Sequence, residues 1–183
     1  MDDLKPVLDR LESCIHGGRY EPIETDACEV KPAPPSGKDW DAIHESVCAF
    51  LNKQGGMVIL GIKEEKPPHR RFVFSGYDGR DVENLKKIKT HFTNREGSVL
   101  DLSEHINLTS QIFRDGHVAI VRVSPLSDDK RFAHFKGTAY EREMNGDREI
   151  CATDIAVQED RKEELRHARE LKSIEEPRYM TST

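Results

Sequence analysis

The stretch Trp40–Ile62, WDAIHESVCAFLNKQGGMVILGI, limits this chain to folds in which a packed helix feeds a buried strand through a tight corner. Ile43, Val47, Phe50 and Leu51 recur at helical spacing, and Ala42, Cys48 and Ala49 widen that apolar face. Asn52-Lys53-Gln54 is polar and closes the pattern. Gly55-Gly56 supplies the positive φ that a sharp reversal needs. Met57–Ile62 is apolar on both faces, which suits a central strand covered on each side.

The remaining segments arrange themselves around this unit. Asp3–Ile15 carries Leu4, Val7, Leu8, Leu11 and Ile15 on one stripe and predicts an amphipathic helix closed by Gly17-Gly18. Ile23–Val30, between Pro22 and Pro32, predicts a short strand. Pro32–Asp39 reads as a loop, with Asp39 as N-cap of the next helix. Phe72-Val73-Phe74 resumes an extended run, and Asp81–Phe92 places Val82, Leu85, Ile88 and Phe92 at helical spacing. Ile106–Phe113 and His117–Ser124 alternate on either side of Asp115-Gly116, a hairpin signature. Arg131–Phe135, Thr138–Arg142 and Arg148–Cys151 are short extended pieces, and Asn145-Gly146 marks a turn. Thr153 is expected to cap a charged helix over 154–172, thin in apolar residues and followed by a frayed tail from Glu175.

Strands joined partly by hairpins and partly by helical crossovers predict an α+β (mixed α/β) fold with a mixed sheet of about six strands. The expected organisation is an N-terminal helix over 1–18, a main domain over 19–152, and a charged helix with its tail over 153–183.

Composition excludes several classes. No apolar run approaches the ~20 residues of a membrane span. The start, MDDLKPVLDR, lacks a signal pattern, so a cytoplasmic protein with no membrane partner is expected. The four cysteines form no CxxC pair and read as free thiols; the eight histidines never pair at ligand spacing, so no zinc is expected. Ser36-Gly37-Lys38-Asp39 lacks the Ser or Thr that follows the lysine of a phosphate-binding loop, so no nucleotide is expected. A net charge of −6 argues against a DNA wrapper but leaves room for one basic face.

The order of pieces resembles a known family. Glu24-Thr-Asp-Ala-Cys-Glu29-Val-Lys31, then CAFLNKQGGMVILGI, then GHVAIVRVSP, then FKGTAYERE and NGD, is similar to the Schlafen family, whose microbial domain is called AlbA-type and described as DNA-binding. The resemblance runs from about Glu21 to Cys151, and AFLN-x-x-GG-x-x-x-x-GI is its specific part. It implies a compact α/β lobe. In relatives two lobes form a cradle for structured RNA, and some cut tRNA with three carboxylates and a divalent metal.

Carried onto this chain, the resemblance makes Glu24, Glu29 and Glu64 the candidate catalytic and metal-holding residues, with Mg²⁺ or Mn²⁺ as the cation. Such ions prefer oxygen ligands. The five-residue spacing puts Glu24 and Glu29 on opposite faces of a plain strand. They share a site only if a bulge or bend intervenes, or if Glu24 precedes the strand. Lys63 stands where the family has its first acidic residue of a pair, and a lysine there can take the cation's place. The bland alternative is a set of strand-end surface carboxylates.

Lys31, Arg131, Lys136, Tyr140, Arg142 and Arg148 are the candidate nucleic-acid-binding residues, the bases for phosphate and Tyr140 for stacking. Asp128, Asp129, Glu141, Glu143, Asp147 and Glu149 stand close enough in sequence to neutralise them. Arg70, Arg71 and Lys86–Lys89 are a further basic group that solvated faces explain as well. The first expectation is therefore a nucleic-acid-binding, Schlafen-like domain working as a metal-dependent endoribonuclease on structured RNA such as tRNA. The alternatives are a non-catalytic DNA-binding regulator and a protein-interaction module. A single lobe where relatives have two suggests a homodimer with an isologous contact.

Overall fold

The helix, glycine corner and strand form where the pattern predicts, as Asp41–Asn52 (α2) and Gly56–Leu60 (β2). The computed structural model describes residues 4–34, 40–79, 82–143 and 146–175. Asp39, Ser36–Lys38, Asn145 and the tail beyond Glu175 lie outside the described residues. Before them come Leu4–Gly17 (α1) and Cys28–Lys31 (β1). After them come Ile62–Glu65 (β3), Arg71–Phe74 (β4), Val82–Lys87 (α3), Phe92–Thr93 (β5), Ile106–Phe113 (β6) and Gly116–Val123 (β7). His134–Phe135 (β8), Tyr140–Glu143 (β9), Gly146–Glu149 (β10) and Ala152–Glu175 (α4) complete the order. The chain divides into two compact units, Met1–Glu149 and Ile150–Thr183.

In the first unit the main sheet is mixed and four-stranded, in the order β1-β2-β7-β6. β1 and β2 are parallel; β2–β7 and β7–β6 are antiparallel. The other strands make three two-stranded ribbons, β3–β4, β5–β8 and β9–β10. Each face of the sheet has its own core. Ile43, Val47, Phe50 and Leu51 of α2 cover Val58, Leu60, Ala119 and Val121. Leu11 of α1, with Ile23 and Phe72, covers Ile59, Val118 and Ile120 on the opposite face. This double cover is why β2 carries no polar residue.

The two corner glycines have different reasons. Gly55 holds φ 77, the left-handed conformation that glycine adopts without a Cβ penalty. Gly56 is ordinary strand, but a Cβ there would lie 2.5 Å from the Phe50 ring and 2.8 Å from the Ala27 carbonyl. Asn52 is more than the polar end of a pattern. It is buried; its Nδ2 donates to the carbonyls of Ala133 and Tyr140, both at 2.9 Å, and its Oδ1 accepts the Ala133 amide at 2.7 Å. Trp40 and Cys48 are core residues, and burial pushes the Cys48 thiol up to about 12.

Four boundaries differ from expectation. Met57–Ile62 is two strands, because Gly61 turns the chain at φ 110. Ile23–Val30 is not one strand: Thr25 and Cys28 exchange main-chain hydrogen bonds of 2.9 and 3.3 Å in a tight turn, and pairing begins only at Cys28. The helix expected over 81–92 stops at Lys87, and Phe92 enters a ribbon with Phe135. In the second unit, the carbonyl of Cys151 accepts the amides of Asp154 and Ile155, so Thr153 lies inside α4 rather than capping it. That helix is as polar as predicted, with Val157, Leu165 and Leu171 exposed. Among the described residues no helix is long and apolar enough to cross a membrane. All four cysteines are free.

Candidate nucleic-acid interface

Three local events bring the candidate carboxylates to one sheet edge. The Thr25–Cys28 turn folds Glu24 back along β1, where its Oε1 accepts the Val30 amide at 3.3 Å. Glu29 lies on β1 itself. Gly61 donates its amide to the Lys31 carbonyl at 2.9 Å and accepts the amides of Ser75 and Gly76, which docks the β3–β4 ribbon against β1. Glu64 rides on that ribbon, opposite Phe72. Glu24 thus precedes the strand, one of the arrangements under which the five-residue spacing permits a shared site.

The carboxylates feel one another. Burial raises the Glu24 carboxyl above its ordinary range; the charges of Glu29 and Glu64 add to this, against the Val30 hydrogen bond and Lys31. Each of the other two is held by a cation. Glu29 is buried, with Lys31 Nζ at 2.8 Å and the Arg142 guanidinium on its second oxygen. Glu64 accepts Arg70 Nε at 2.7 Å. The oxygen donors suit Mg²⁺ or Mn²⁺ chemically, but basic side chains occupy those of Glu29 and Glu64, and the Val30 amide holds Glu24. Among the described residues no three His, Cys, Asp or Glu side chains converge as a metal-holding group. The residue in the cation's place at Glu64 is Arg70, not Lys63. Lys63 neighbours Glu64 on the strand, points to the other face and is exposed.

The raised Glu24 carboxyl has a signed consequence. A folded pKa above the ordinary 4.5 favours the protonated form in the fold, so its stabilising contribution is present below pH 4.5 and is lost as pH rises through the folded value. Glu24→Gln should therefore raise the thermal midpoint at pH 7 and flatten its decline from pH 4.5 upward. Calorimetry over that range checks it.

The six candidate binding residues divide by environment. Arg142 is buried: its Nη1 meets Asp147 Oδ1 at 2.9 Å, and its Nη2 donates to the Thr25 carbonyl at 3.2 Å as well as to Glu29. Ser46 Oγ donates to the other oxygen of Asp147. Burial lowers the Arg142 pKa, but the bonds to Asp147 and Glu29 outweigh it and hold the guanidinium above its ordinary value. Arg131 donates to the Lys53 carbonyl at 2.7 Å and lies 3.4 Å from Asp128. Lys136 pairs with Asp41, and Arg148 with Glu141 and Glu143. Tyr140 is half-buried against the α2-side core. The neutralising acids of the sequence reading are thus partly realised, in Asp128, Glu141, Glu143 and Asp147.

One feature escaped the sequence, and a second was read there only in part. Tyr20 stacks on Phe72 with ring centroids 5.3 Å apart, and Arg70 lies 3.9 Å over the Tyr20 ring. Its hydroxyl hydrogen-bonds to Glu64; burial first, then the Glu64 charge, raises its pKa. The second feature is the ribbon surface: Lys63, Lys66, His69, Arg70 and Arg71 are all exposed on one short hairpin beside the carboxylate edge. Arg70 and Arg71 stood in the sequence as a basic group that solvated faces explain as well; the fold adds Lys63, Lys66 and His69 to them.

A family model described as Schlafen, AlbA_2 matches residues 24–151. The solution structure of the N-terminal domain of a protein from Nitrosomonas europaea, named as related to the ATP-dependent DNA helicase RecG, is similar in fold. It is 16% identical with a TM-score of 0.54, over 83% of this chain and 95% of that one. The DIP2311 protein from Corynebacterium diphtheriae is 13% identical with a TM-score of 0.48, over 80% of this chain and 31% of that one. No curated protein matches.

Proposed function

We propose that this chain, which belongs to the Schlafen AlbA_2 family, is a nucleic-acid-binding domain that meets phosphates with the β3–β4 ribbon and the edge beside it. The observation that carries this reading is the ribbon itself. Lys63, Lys66, His69, Arg70 and Arg71 are exposed together, and the Arg70 side chain is 52% exposed although paired. An exposed ion pair is worth only about 0–1 kcal/mol, so a phosphate can take Arg70 from Glu64 at little cost. The name of the Nitrosomonas europaea relative, which mentions a DNA helicase, is consistent with this class of partner.

The test is binding to a tRNA and to a DNA duplex over a salt series. Lys63→Glu with Lys66→Glu should weaken binding and reduce the slope of log affinity against log salt by about two. An unchanged slope would remove the ribbon from the interface. Tighter binding to either ligand decides between RNA and DNA.

The second reading is the endoribonuclease. It is favoured by the mutual influence of Glu24, Glu29 and Glu64, and it requires Mg²⁺ or Mn²⁺ to displace Lys31 and Arg70 from their oxygens. Discrete Mn²⁺-dependent tRNA fragments that vanish in both Glu24→Gln and Glu64→Gln would support it. Binding without cleavage leaves the first reading alone.

A further inference from the structure

The main sheet ends at β6, whose outer edge carries a pattern that fits itself. Phe113 and Gly116 flank the two-residue turn of the β6–β7 hairpin. In such a hairpin the flanking residues form a hydrogen-bonded pair, and the bonding alternates from there. Phe113, Gln111, Thr109 and Asn107 therefore bond to β7, while Ile112, Ser110, Leu108 and Ile106 turn their main-chain groups outward. Ile106 shows the parity directly: its amide donates to the Leu102 carbonyl at 3.0 Å, not to β7.

The strand INLTSQIF contains no charge and no proline. Natural sheet edges are ordinarily blunted by charge, proline or a covering segment. Here Asn107 and Thr109–Ile112 are exposed, and Ile112, at 79%, is the most exposed large apolar residue described.

We propose that β6 pairs antiparallel with β6 of a second copy of this chain about a two-fold axis at Ser110, making one continuous eight-stranded sheet. The register follows from parity. Outward groups must meet outward groups, so Ser110 faces the partner's Ser110, and Leu108 faces the partner's Ile112. The two-fold axis repeats the second contact, which buries both exposed isoleucines against half-buried leucines. About six main-chain hydrogen bonds form. On the opposite face the partner's Asn107 and Thr109 come opposite Phe113 and Gln111. Those two residues line a groove of about 500 Å³ between α1 and the end of β6, which leaves space for the incoming side chains. A partner strand of another protein would not supply this reciprocal Leu–Ile match, which needs the same sequence on both sides.

Light scattering on the full chain should give a dimer. Ser110→Pro removes an outward amide without touching the β6–β7 ladder. It should give a folded monomer with unchanged circular dichroism, whose thermal midpoint no longer rises with protein concentration. Ile112→Lys should weaken the dimer at least tenfold. Ser110→Cys in a Cys151→Ser background should cross-link on oxidation, and Thr109→Cys in the same background should not. A wild-type monomer at the highest soluble concentration overturns the proposal. So does a dimer that survives both Ser110→Pro and Ile112→Lys, or cross-linking at 109 in preference to 110. Nucleic-acid binding is measured separately and decides none of these outcomes.

Discussion

Arg142→Ala should lower stability by about 3–5 kcal/mol, the cost of leaving a buried charge without its partner. In a chain of this size that corresponds to a midpoint roughly 10 °C lower. The residue is 5% exposed and joins three elements: Glu29 on β1, Asp147 on β10, and the Thr25 carbonyl in the turn that positions Glu24. Truncation leaves Glu29 with Lys31 alone and strands Asp147 with Ser46. Arg142→Lys keeps the charge but reaches one carboxylate rather than two, so its loss should be intermediate. Urea unfolding of the three proteins measures the series. A loss below about 1 kcal/mol for Arg142→Ala would mean that water replaces the guanidinium freely.

Gly61→Ala should cost roughly 3 kcal/mol through two additive causes. At φ 110 an L side chain is strained whatever the space, and a Cβ would lie 2.9 Å from the Gly76 carbonyl carbon, which is backbone and cannot rotate away. Gly61 is also the post on which the β3–β4 ribbon hangs, through Lys31, Ser75 and Gly76. Relief of the clash must shift the ribbon, and Glu64 moves with it. The Glu24 carboxyl should then titrate closer to its ordinary value, because one of the charges raising it has withdrawn. Carboxyl NMR titration reads that shift, and thermal unfolding reads the stability loss. A destabilised protein with Glu24 unchanged would show that relief of the clash leaves Glu64 in place.

These two positions show what was legible in advance. The glycine of the GI pair stood out in the sequence as part of a strand, whereas it ends one. Nothing local distinguishes Gly61 from a strand glycine, since its φ goes with its hydrogen bonds to Lys31, Ser75 and Gly76, all distant in the chain. Arg142 read as one of six candidate nucleic-acid-binding residues, at the end of a short extended piece; its burial depends on Phe50 beneath it and on carboxylates such as Glu29 from a distant segment. The turn at Thr25–Cys28 was one of the alternatives that the carboxylate spacing required, and the fold selected it.

Hydrophobic periodicity and turn residues determined the α2–β2 unit, the β6–β7 hairpin, the mixed sheet and the polar C-terminal helix, because both are written residue by residue along the chain. The tertiary structure alone decided which cation answers each carboxylate: Arg142 and Lys31 at Glu29, Arg70 at Glu64, and a backbone amide at Glu24. Charge pairing acts through space over a few ångströms, so it depends on register and turn geometry that no local run of residues encodes.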